Sequence, residues 1–354
     1  MKLLFLTRYD NFGASSRMRF IQYFEILRIN GYEITLSPLL NSHYLDSIYS
    51  KKNPSYKLII YSYLKRALLL TKANEFDLII IEKEIFPWFP SWAEKLLSVF
   101  NIKYLVDFDD AIFHNYDLNN NYVIKKLLKN KIKSVISNSS CVIAGNEYIY
   151  NYAIKSKAKN IHIIPTVIDF NKYKNISKKS TEIFKIGWIG SPSTVKYLDI
   201  VKPVLVKLLN FINFELVIIG ATPKDFFNIP VKVLKWTEES EALNISQFDI
   251  GIMPLSDDPW EQGKCGYKLI QYLACGVPVI CSPIGVNKEI VETGKNGFFA
   301  NNEDEWLNAF LSLHNSAFLR FEYGKYGKNK VIEKYSLQSR GQQFVEIVKN
   351  VCKS

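Results

Sequence analysis

The sequence predicts an α/β protein built from two consecutive doubly wound domains. Short and nearly continuous apolar runs alternate along the chain with stretches whose apolar residues recur at helical spacing, as expected for parallel sheets covered by helices on both faces. The chain has 354 residues, of which 48% are hydrophobic and 22% are charged. This composition supplies two sizeable cores and excludes a disordered or fibrous chain.

The first series of apolar runs predicts the strands of the first domain. Between the first two runs, Phe20, Tyr23, Phe24 and Leu27 recur at helical spacing and predict one helix over residues 16–30, which Gly31 ends. Because the runs lack polar alternation, they favour strands that are buried on both faces. The predicted strands are residues 3–6, 33–36, 58–60, 78–81, 104–106 and 141–143.

A polar segment after Asp169 predicts the domain boundary. It is rich in Lys, Asn and Ser, so we place the first domain at residues 1–168 and the linker at 169–180. The second domain then covers residues 181–336, and residues 337–354 contain a last helix, predicted over 342–351. Strands of the second domain are predicted at residues 186–190, 215–220, 231–234, 249–253 and 277–280.

The charge balance is basic and leans toward the first domain. The chain carries 45 Lys plus Arg against 34 Asp plus Glu, a net charge of +11, and residues 1–170 account for 22 against 15, or +7. Such a surface attracts anions. The five cysteines form no CxxC pair, and no apolar run reaches the roughly 18 residues of a membrane span, so we expect a cytoplasmic protein.

A glycine-containing loop before a helix is the most informative functional pattern. Residues 263–266, GKCG, follow the strand predicted at 249–253 and precede a helix predicted over 267–275. Backbone N–H groups and the positive end of the helix dipole bind anions at such a place. Lys264 and Lys268 stand one turn apart, and Gln271 lies one turn deeper, where its amide can bind a sugar hydroxyl. The pattern predicts a diphosphate site; the alternative is a solvated basic helix start.

Residues 263–278, GKCGYKLIQYLACGVP, resemble the donor-binding signature of glycosyltransferase family 4, the retaining enzymes of GT-B fold. Residues 165–169, 188–196, 285–291 and 294–298 resemble further parts of that family, so the resemblance covers almost the whole chain. It implies a GT-B fold, in which two Rossmann-like domains face each other across a cleft. It also implies that the last helix packs back on the first domain.

The resemblance implies a nucleotide-sugar donor as substrate, with no cofactor and no metal. The family's two motif glutamates fall on Gly263 and Gln271, and its Arg–Lys pair falls on Ser191 and Lys196. A glutamine keeps neutral hydrogen bonds to a ribose, whereas a glycine has no side chain to touch the sugar. Lys264 is a candidate for restoring the charge that Ser191 lacks.

In the first domain, Gly13 and the following Arg17 and Arg19 form a second arrangement of strand, glycine loop and helix start. It resembles the family's N-terminal loop, which reaches toward the phosphates and the acceptor. Cations in a first helical turn oppose the dipole, which favours a functional role for both arginines. The alternative is two solvated arginines.

Three acids, Asp107, Asp109 and Asp110, follow the strand predicted at 104–106, at an edge where α/β sites form. The resemblance gives Asp109 or Asp110 the place of a catalytic-region histidine, and Asp110 would position the acceptor or act as a base. The alternative is that either aspartate caps the next helix. His114 lies nearby among polar residues and is expected at the surface.

Residues 124–136 predict one basic amphipathic helix. The first interpretation is that the apolar stripe packs against the core and the lysine face is solvated. The second is that the helix contacts an anionic membrane surface. The stripe is Ile124, Leu127, Leu128, Ile132 and Val135, and Ile136 ends the segment.

These patterns together predict a retaining, hexosyl-type glycosyltransferase. It would move a sugar from a nucleotide sugar to a hydroxyl of a glycan or lipid-linked acceptor in envelope polysaccharide assembly, in the cytoplasm or at the inner face of the membrane. The alternatives are a nucleotide-sugar epimerase of the same fold and a non-catalytic nucleotide-sugar binder. Nucleic acid is not expected as a partner, because aromatic and basic residues do not interleave.

The candidate residues fall into three groups. The predicted catalytic residues are Asp109, Asp110, Lys196 and Lys264. The predicted donor-binding residues are Gly13, Gly190, Ser191, Lys196, Gly263, Lys264, Cys265, Gly266, Tyr267, Lys268 and Gln271. The predicted acceptor-binding residues are Arg17, Arg19, Asp110 and His114, and no metal ligand is predicted.

Overall fold

A computed structural model describes residues 1–42, 44, 47, 53–174, 176 and 183–353. Among them, twelve strands form two six-stranded sheets in which every pairing is parallel. The first compact unit contains residues 1–166, 263–265 and 340–354, and the second contains 167–262 and 266–339. Within the predicted linker, residues 175 and 177–180 lie outside the described residues.

The first sheet has the strand order β2-β1-β3-β4-β5-β6. The chain moves from β1 to one side and then returns to the other, so the topological switch point lies between β1 and β3, where α/β sheets bind ligands. Its strands are β1 (Lys2–Tyr9), β2 (Glu33–Leu40), β3 (Leu78–Glu82), β4 (Tyr104–Phe108), β5 (Cys141–Ala144) and β6 (Ile161–Ile163).

The second sheet has the order β12-β11-β10-β7-β8-β9, and its switch point lies between β7 and β10. Its strands are β7 (Phe184–Ile189), β8 (Phe214–Ile219), β9 (Val231–Leu234), β10 (Ile250–Met253), β11 (Val279–Cys281) and β12 (Gly297–Phe299). The prediction of two doubly wound parallel sheets is confirmed.

Helices connect the strands of both sheets. Those up to β6 are α1 (Ala14–Arg19), α2 (Phe24–Ile29), α3 (Tyr56–Leu70), α4 (Trp92–Val99), α5 (His114–Asp117), α6 (Tyr122–Leu128), α7 (Lys131–Asn138) and α8 (Glu147–Lys155). Those after it are α9 (Lys202–Leu208), α10 (Glu238–Ser246), α11 (Pro259–Gln262), α12 (Tyr267–Ala274), α13 (Asn287–Ile290), α14 (Glu303–Asn315), α15 (Ala317–Lys334) and α16 (Leu337–Lys353). Short 3₁₀ turns occupy Ile21–Tyr23, Ala73–Glu75, Phe170–Tyr173 and Val195–Ile200.

Three sequence predictions about local structure are wrong. Residues 58–60 are not a strand but part of α3, because the short apolar run lies inside a stretch of fifteen residues without glycine or proline. The helix predicted over 16–30 is two short helices, since Phe20 leaves the helical region at φ −132°. The helix predicted over 124–136 is likewise divided into α6 and α7.

Glycines fix the position of α12 in the second unit. A Cβ atom on Gly251 of β10 would lie 2.4 Å from Tyr272 of α12, and one on Gly327 of α15 would lie 2.4 Å from Leu273. Real side chains do not tolerate such contacts, so only glycine lets α12 approach both elements this closely. The buried hydroxyl of Tyr272 then accepts from the backbone N–H of Ile189 at 3.0 Å, next to the end of β7.

A buried ion pair ties the first unit together at the carboxyl edge of its sheet. Arg19, at the end of α1, donates Nε and Nη2 to the Asp107 carboxylate at 2.9 and 2.6 Å, and both side chains are nearly inaccessible. Its Nη1 donates to the Ile164 carbonyl at 2.8 Å. The Asp107 carboxylate overcomes the effect of burial and raises the pKa of Arg19, so the guanidinium stays charged.

We expect Arg19→Met to destabilise the first unit by about 3–5 kcal/mol, because Asp107 would remain buried without its partner. Urea unfolding followed by fluorescence measures the loss. The double variant Arg19→Met/Asp107→Leu should recover most of it, whereas Arg28→Met, at an exposed arginine of α2, should change little. An equal loss in the double and single variants would contradict this account.

Candidate functional site

Charged residues meet at the carboxyl edge of the first sheet. Glu82 ends β3 and is followed by Lys83, whose backbone adopts the left-handed conformation at φ 67°. The buried Lys83 ammonium lies 2.8 Å from Asp109 Oδ1 and 3.8 Å from Asp110 Oδ2. Sequence analysis missed Lys83, although three charged residues directly after a buried strand are the same signal that drew attention to Asp109.

The two aspartates have opposite electrostatic environments. Burial alone would raise the pKa of Asp109, but the Lys83 ammonium prevails and lowers it, helped by the Ser15 hydroxyl that donates to Oδ2 at 2.6 Å. Burial and the neighbouring Asp109 charge raise the pKa of Asp110, whose side chain is one-third exposed. Asp110 is therefore the better proton acceptor of the pair.

The alternative role of Asp109 or Asp110 as a helix cap finds no support in the geometry. Among the described residues, the next helix is α5, whose N-cap position is Phe113 and receives no side-chain cap. His114 of α5 is half-buried, which corrects the expectation of a surface position. Its Nδ1 lies 2.8 Å from Asp117 Oδ1 and its Nε2 lies 2.8 Å from the Tyr148 hydroxyl, so both ring nitrogens are engaged.

Both predicted acceptor-side arginines are buried. The sequence predicted them in the first turn of a long helix, but they lie in the last turn of the six-residue α1. Cations are favourable at that end of a helix, so the expected conflict with the dipole does not exist. Arg17 Nη1 donates to the Asn11 carbonyl at 3.0 Å, while Arg19 is paired with Asp107. Gly13 precedes α1, and a Cβ atom there would lie 2.4 Å from Tyr9 Cβ.

Residues 263–265, the start of the donor signature, belong to the first unit. The side-chain amide of Asn146 donates to the carbonyl oxygens of Gly263 at 3.0 Å and Lys264 at 3.1 Å. A Cβ atom on Gly263 would lie 2.3 Å from the Cβ atom of Ala111. The loop therefore has no room for a side chain at position 263, and the Lys264 charge acts to lower the pKa of Asp110.

In the second unit, α12 begins at Gly266, which adopts φ 64° and packs against α13. Its first turn has no acidic residue, and the positive end of the helix dipole favours an anion there. The Lys268 ammonium lies 4.2 Å from the centre of the Trp188 ring, and a Cβ atom on Gly190 would come within 2.9 Å of it. Tyr267 and Cys265 flank Gly266 and are partly buried.

Two amide side chains near the start of α12 have unsatisfied atoms. Gln271 is 2% exposed and lies beside the Tyr173 hydroxyl, but its Nε2 forms no well-aligned hydrogen bond in the described part of the chain. Asn287 donates to the Ser282 carbonyl at 2.9 Å, but its Oδ1 accepts no hydrogen bond there. Each unsatisfied buried group costs about 1–3 kcal/mol, so a ligand with matching hydroxyls would gain from both.

The loop after β7 carries hydroxyls. Ser191 Oγ lies 2.9 Å from Ser193 Oγ and 3.4 Å from Thr194 Oγ1, and Lys196 is exposed one turn further on. Sequence analysis missed Ser193 and Thr194, although they stand directly beside Ser191 in the sequence.

Glu261, two residues before Gly263, is buried and already occupied. Its carboxylate accepts a hydrogen bond from the Tyr197 hydroxyl. Within the described residues, no group of three His, Cys, Asp or Glu side chains could hold a metal ion. In the same residues, no helix combines the length and apolar composition needed to cross a bilayer.

Comparison with known proteins identifies the fold. Residues 183–316 match the family described as Glycosyl transferases group 1. No curated protein sequence is significantly similar to the chain.

Three solved structures are similar over at least 99% of this chain and of their own. They are sucrose-phosphate synthase of Thermosynechococcus elongatus (TM-score 0.74, 13% identity), a glycosyltransferase of Rickettsia africae (0.72, 16%) and Anabaena HepE in complex with UDP-glucose (0.69, 16%). The GT-B fold that the sequence predicts is thereby confirmed.

We expect Asn146→Asp to weaken binding of a nucleoside diphosphate by up to about thirtyfold, because the variant loses two donated hydrogen bonds of about 1 kcal/mol each. The carboxylate can still accept from the Ile149 N–H and cap α8, but a buried charge that faces two carbonyl oxygens should also lower stability, so affinity is compared at a temperature where both variants are folded. Calorimetry measures affinity, and thermal unfolding measures stability. Asn121→Asp, at the exposed cap of α6, is the matched control; equal affinities in both variants would contradict the assignment.

Proposed function

Because residues 183–316 match the family model of the group 1 glycosyltransferases, we propose that this protein is a retaining glycosyltransferase that uses a nucleotide sugar and transfers a hexosyl group to a hydroxyl of a glycan or lipid-linked acceptor. The observation that carries the proposal is the start of α12. There a helix N-terminus free of acids, the Lys268 ammonium and the unsatisfied Gln271 amide occur together in the family's donor signature. A diphosphate and a ribose hydroxyl are the groups that such an arrangement binds.

Uridine diphosphate is the nucleotide that we propose to test first. Similar structures were solved in complex with it: Anabaena HepE with UDP and glucose, and the pneumococcal O-GlcNAc transferase GtfA with UDP and GlcNAc. Thermal-shift measurements with UDP, GDP and their sugars provide the test, since a ligand at 100 times its dissociation constant stabilises by about 2.7 kcal/mol. Failure of every nucleotide to stabilise the protein would overturn the proposal.

The proposed donor residues divide into three groups. Ser191 and Lys196 belong to the loop after β7, and Gly190 leaves room there for Lys268. Gly263, Lys264 and Cys265 contribute from the adjoining loop, and Gly266, Tyr267, Lys268 and Gln271 contribute from the start of α12. We also propose that the backbone at Gly13 contacts the donor phosphates.

The proposed reaction takes place on one face of the sugar. The bond between the anomeric carbon and the diphosphate oxygen breaks, the acceptor oxygen bonds to the same face of that carbon, and the acceptor proton passes to the leaving diphosphate or to Asp110. Lys196, Lys264 and the α12 N-terminus would stabilise the charge that develops on the diphosphate. Retention at the anomeric carbon follows from attack on the face that the leaving group vacates.

The acceptor side of the proposal rests on the first unit. Asp109 is held ionised by Lys83, whereas Asp110 is partly exposed and has a raised pKa, which suits a group that orients or deprotonates a hydroxyl. Arg19 is a positioning residue, because its ion pair with Asp107 fixes the end of β4 that carries Asp109 and Asp110. Arg17 and His114 remain proposed acceptor contacts. We further propose that the acceptor belongs to envelope polysaccharide assembly on the cytoplasmic side of a membrane.

A non-catalytic nucleotide-sugar binder is the second candidate. It is favoured by the crowding of Gly263 against Ala111, which leaves no room for the family's sugar-facing carboxylate. Product analysis with donor and acceptor together separates the candidates: a transferase forms a glycoside, a binder forms none, and an epimerase converts the donor without an acceptor.

We expect Lys264→Ala to weaken binding of UDP roughly tenfold to a hundredfold, because it removes a charge-assisted contact to the diphosphate. Folding stability should change by less than about 0.5 kcal/mol, since the side chain is only half-buried. Lys349→Ala, at an exposed lysine of α16, is the control. Unchanged affinity in the Lys264 variant would remove this residue from the donor site.

We expect Asp110→Asn to lower turnover by about two to four orders of magnitude while the donor dissociation constant changes less than about threefold. Wild-type turnover should fall on acidification as Asp110 takes up a proton above its ordinary pKa, and the variant should lack this limb. Turnover and donor affinity are measured beside those of Asp304→Asn, an exposed control. Lost donor affinity with surviving turnover would reverse the assignment.

A further inference from the structure

Helix α3 is rich in apolar residues, and several large apolar side chains on its outer face are exposed. Tyr56, Ile60, Leu64 and Leu68 follow one another at successive turns and are 77%, 60%, 59% and 69% exposed. Large apolar side chains that cluster on an exposed face in this way mark an interaction surface. The outer face therefore requires an occupant outside the described part of the chain.

The apolar surface continues onto the loop between β3 and α4. Tyr63 of α3 packs its ring 5.7 Å from Phe89, and Trp88, Phe89 and Trp92 are each about half exposed. Tryptophan and tyrosine are enriched where proteins meet the boundary between hydrocarbon and lipid headgroups, because their rings combine an apolar body with a polar group.

The charge of α3 indicates which occupant fits. No aspartate or glutamate occurs between Ser47 and Asn74, whereas Lys57, Lys65 and Lys72 are exposed on or beside the helix. Two copies that met face to face would bring these ammonium groups together, and a neutral surface would leave them unpaired. Anionic headgroups attract each lysine near a bilayer surface while the apolar side chains enter the boundary region.

The orientation of α3 is fixed from its inner side. Arg66 is buried and donates to the carbonyl oxygens of Thr7 at 2.6 Å and Ser37 at 2.5 Å, at the carboxyl halves of β1 and β2. The outer face is consequently a rigid surface of the first unit.

We propose that α3, together with the loop between β3 and α4, docks on an anionic bilayer. The surface adjoins the candidate acceptor side: the backbone N–H of Trp88 donates to the Tyr116 hydroxyl at 3.2 Å, and that hydroxyl donates to the Glu84 carboxylate at 2.8 Å, one residue from Lys83. Docking there would bring a lipid-linked acceptor to the carboxyl edge of the first sheet. That last step rests on the proposed function, whereas bilayer binding does not.

Flotation of the full chain with vesicles tests the surface directly. The wild type should float with vesicles of phosphatidylcholine and phosphatidylglycerol but not with phosphatidylcholine alone. The triple variant Ile60→Ser/Leu64→Ser/Leu68→Ser should lose at least about tenfold in partition, because three exposed apolar side chains no longer enter the bilayer. Phe318→Ser/Phe321→Ser is the matched control, since both phenylalanines are exposed on α15 of the second unit.

The outcomes separate the competing explanations. Unchanged flotation of the triple variant, with the melting temperature of the wild type, overturns the proposal. Loss of flotation in Lys125→Glu/Lys126→Glu alone would assign membrane contact to α6 instead. If the wild type does not float with any vesicles but dimerises through the α3 face, the occupant of that face is a second copy of the chain. UDP binding measured on the same variants stays intact if only docking is affected, so failure of docking and failure of the proposed function are distinguishable.

Discussion

The buried pair between Arg19 and Asp107 is the constraint on which the carboxyl edge of the first sheet depends. One guanidinium ties the end of α1 to the end of β4 and, through the Ile164 carbonyl, to the segment after β6. A charge pair taken out of water is stable only when its hydrogen bonds are complete, so the three segments have one arrangement that satisfies it. Asp109 and Asp110 leave β4 directly after this fixed point, and their positions follow from it.

The second unit reaches the same kind of order by a different means. Glycines determine where its site helix packs. Because Gly251 and Gly327 lack side chains, α12 packs closely between β10 and α15, and Gly190 leaves space for the Lys268 ammonium beside β7. Electrostatics fixes the first site, and close packing of backbone against side chain fixes the second.

The fold was predictable because its signals are local. Buried runs such as residues 78–81 of β3 and 141–144 of β5 are apolar without interruption, and α12 lies between glycines that mark its start and its end. The run at residues 58–60 misled because a strand and a helix segment of that length look alike. The apolar stripe over 124–136 did not reveal the break between α6 and α7. Lys131, the first residue of α7, is buried there because its ammonium forms an ion pair with Glu84 at 2.5 Å.

The site was predictable only in part, because several of its contacts join residues that are far apart in sequence. Lys264 and Gln271 could be found from the glycine loop and the helix that follows it. Asn146 could not, since it holds a carbonyl 117 residues away and otherwise reads as an ordinary helix cap. The sequence indicated that Gly263 lacks a side chain that touches the donor sugar, and the structure adds that its environment at Ala111 admits only a hydrogen atom.

The tight seating of α12 has a thermodynamic consequence. A helix wedged between glycine backbones has few alternative positions, so a ligand that binds at its N-terminus orders little protein and loses little conformational entropy. The amides in the last turn of α12 should accordingly be among the slowest to exchange with solvent in the unliganded protein. Ligand selectivity at that end would then arise from the rejection of molecules that do not match a preorganised surface, because the surface cannot reshape itself around them.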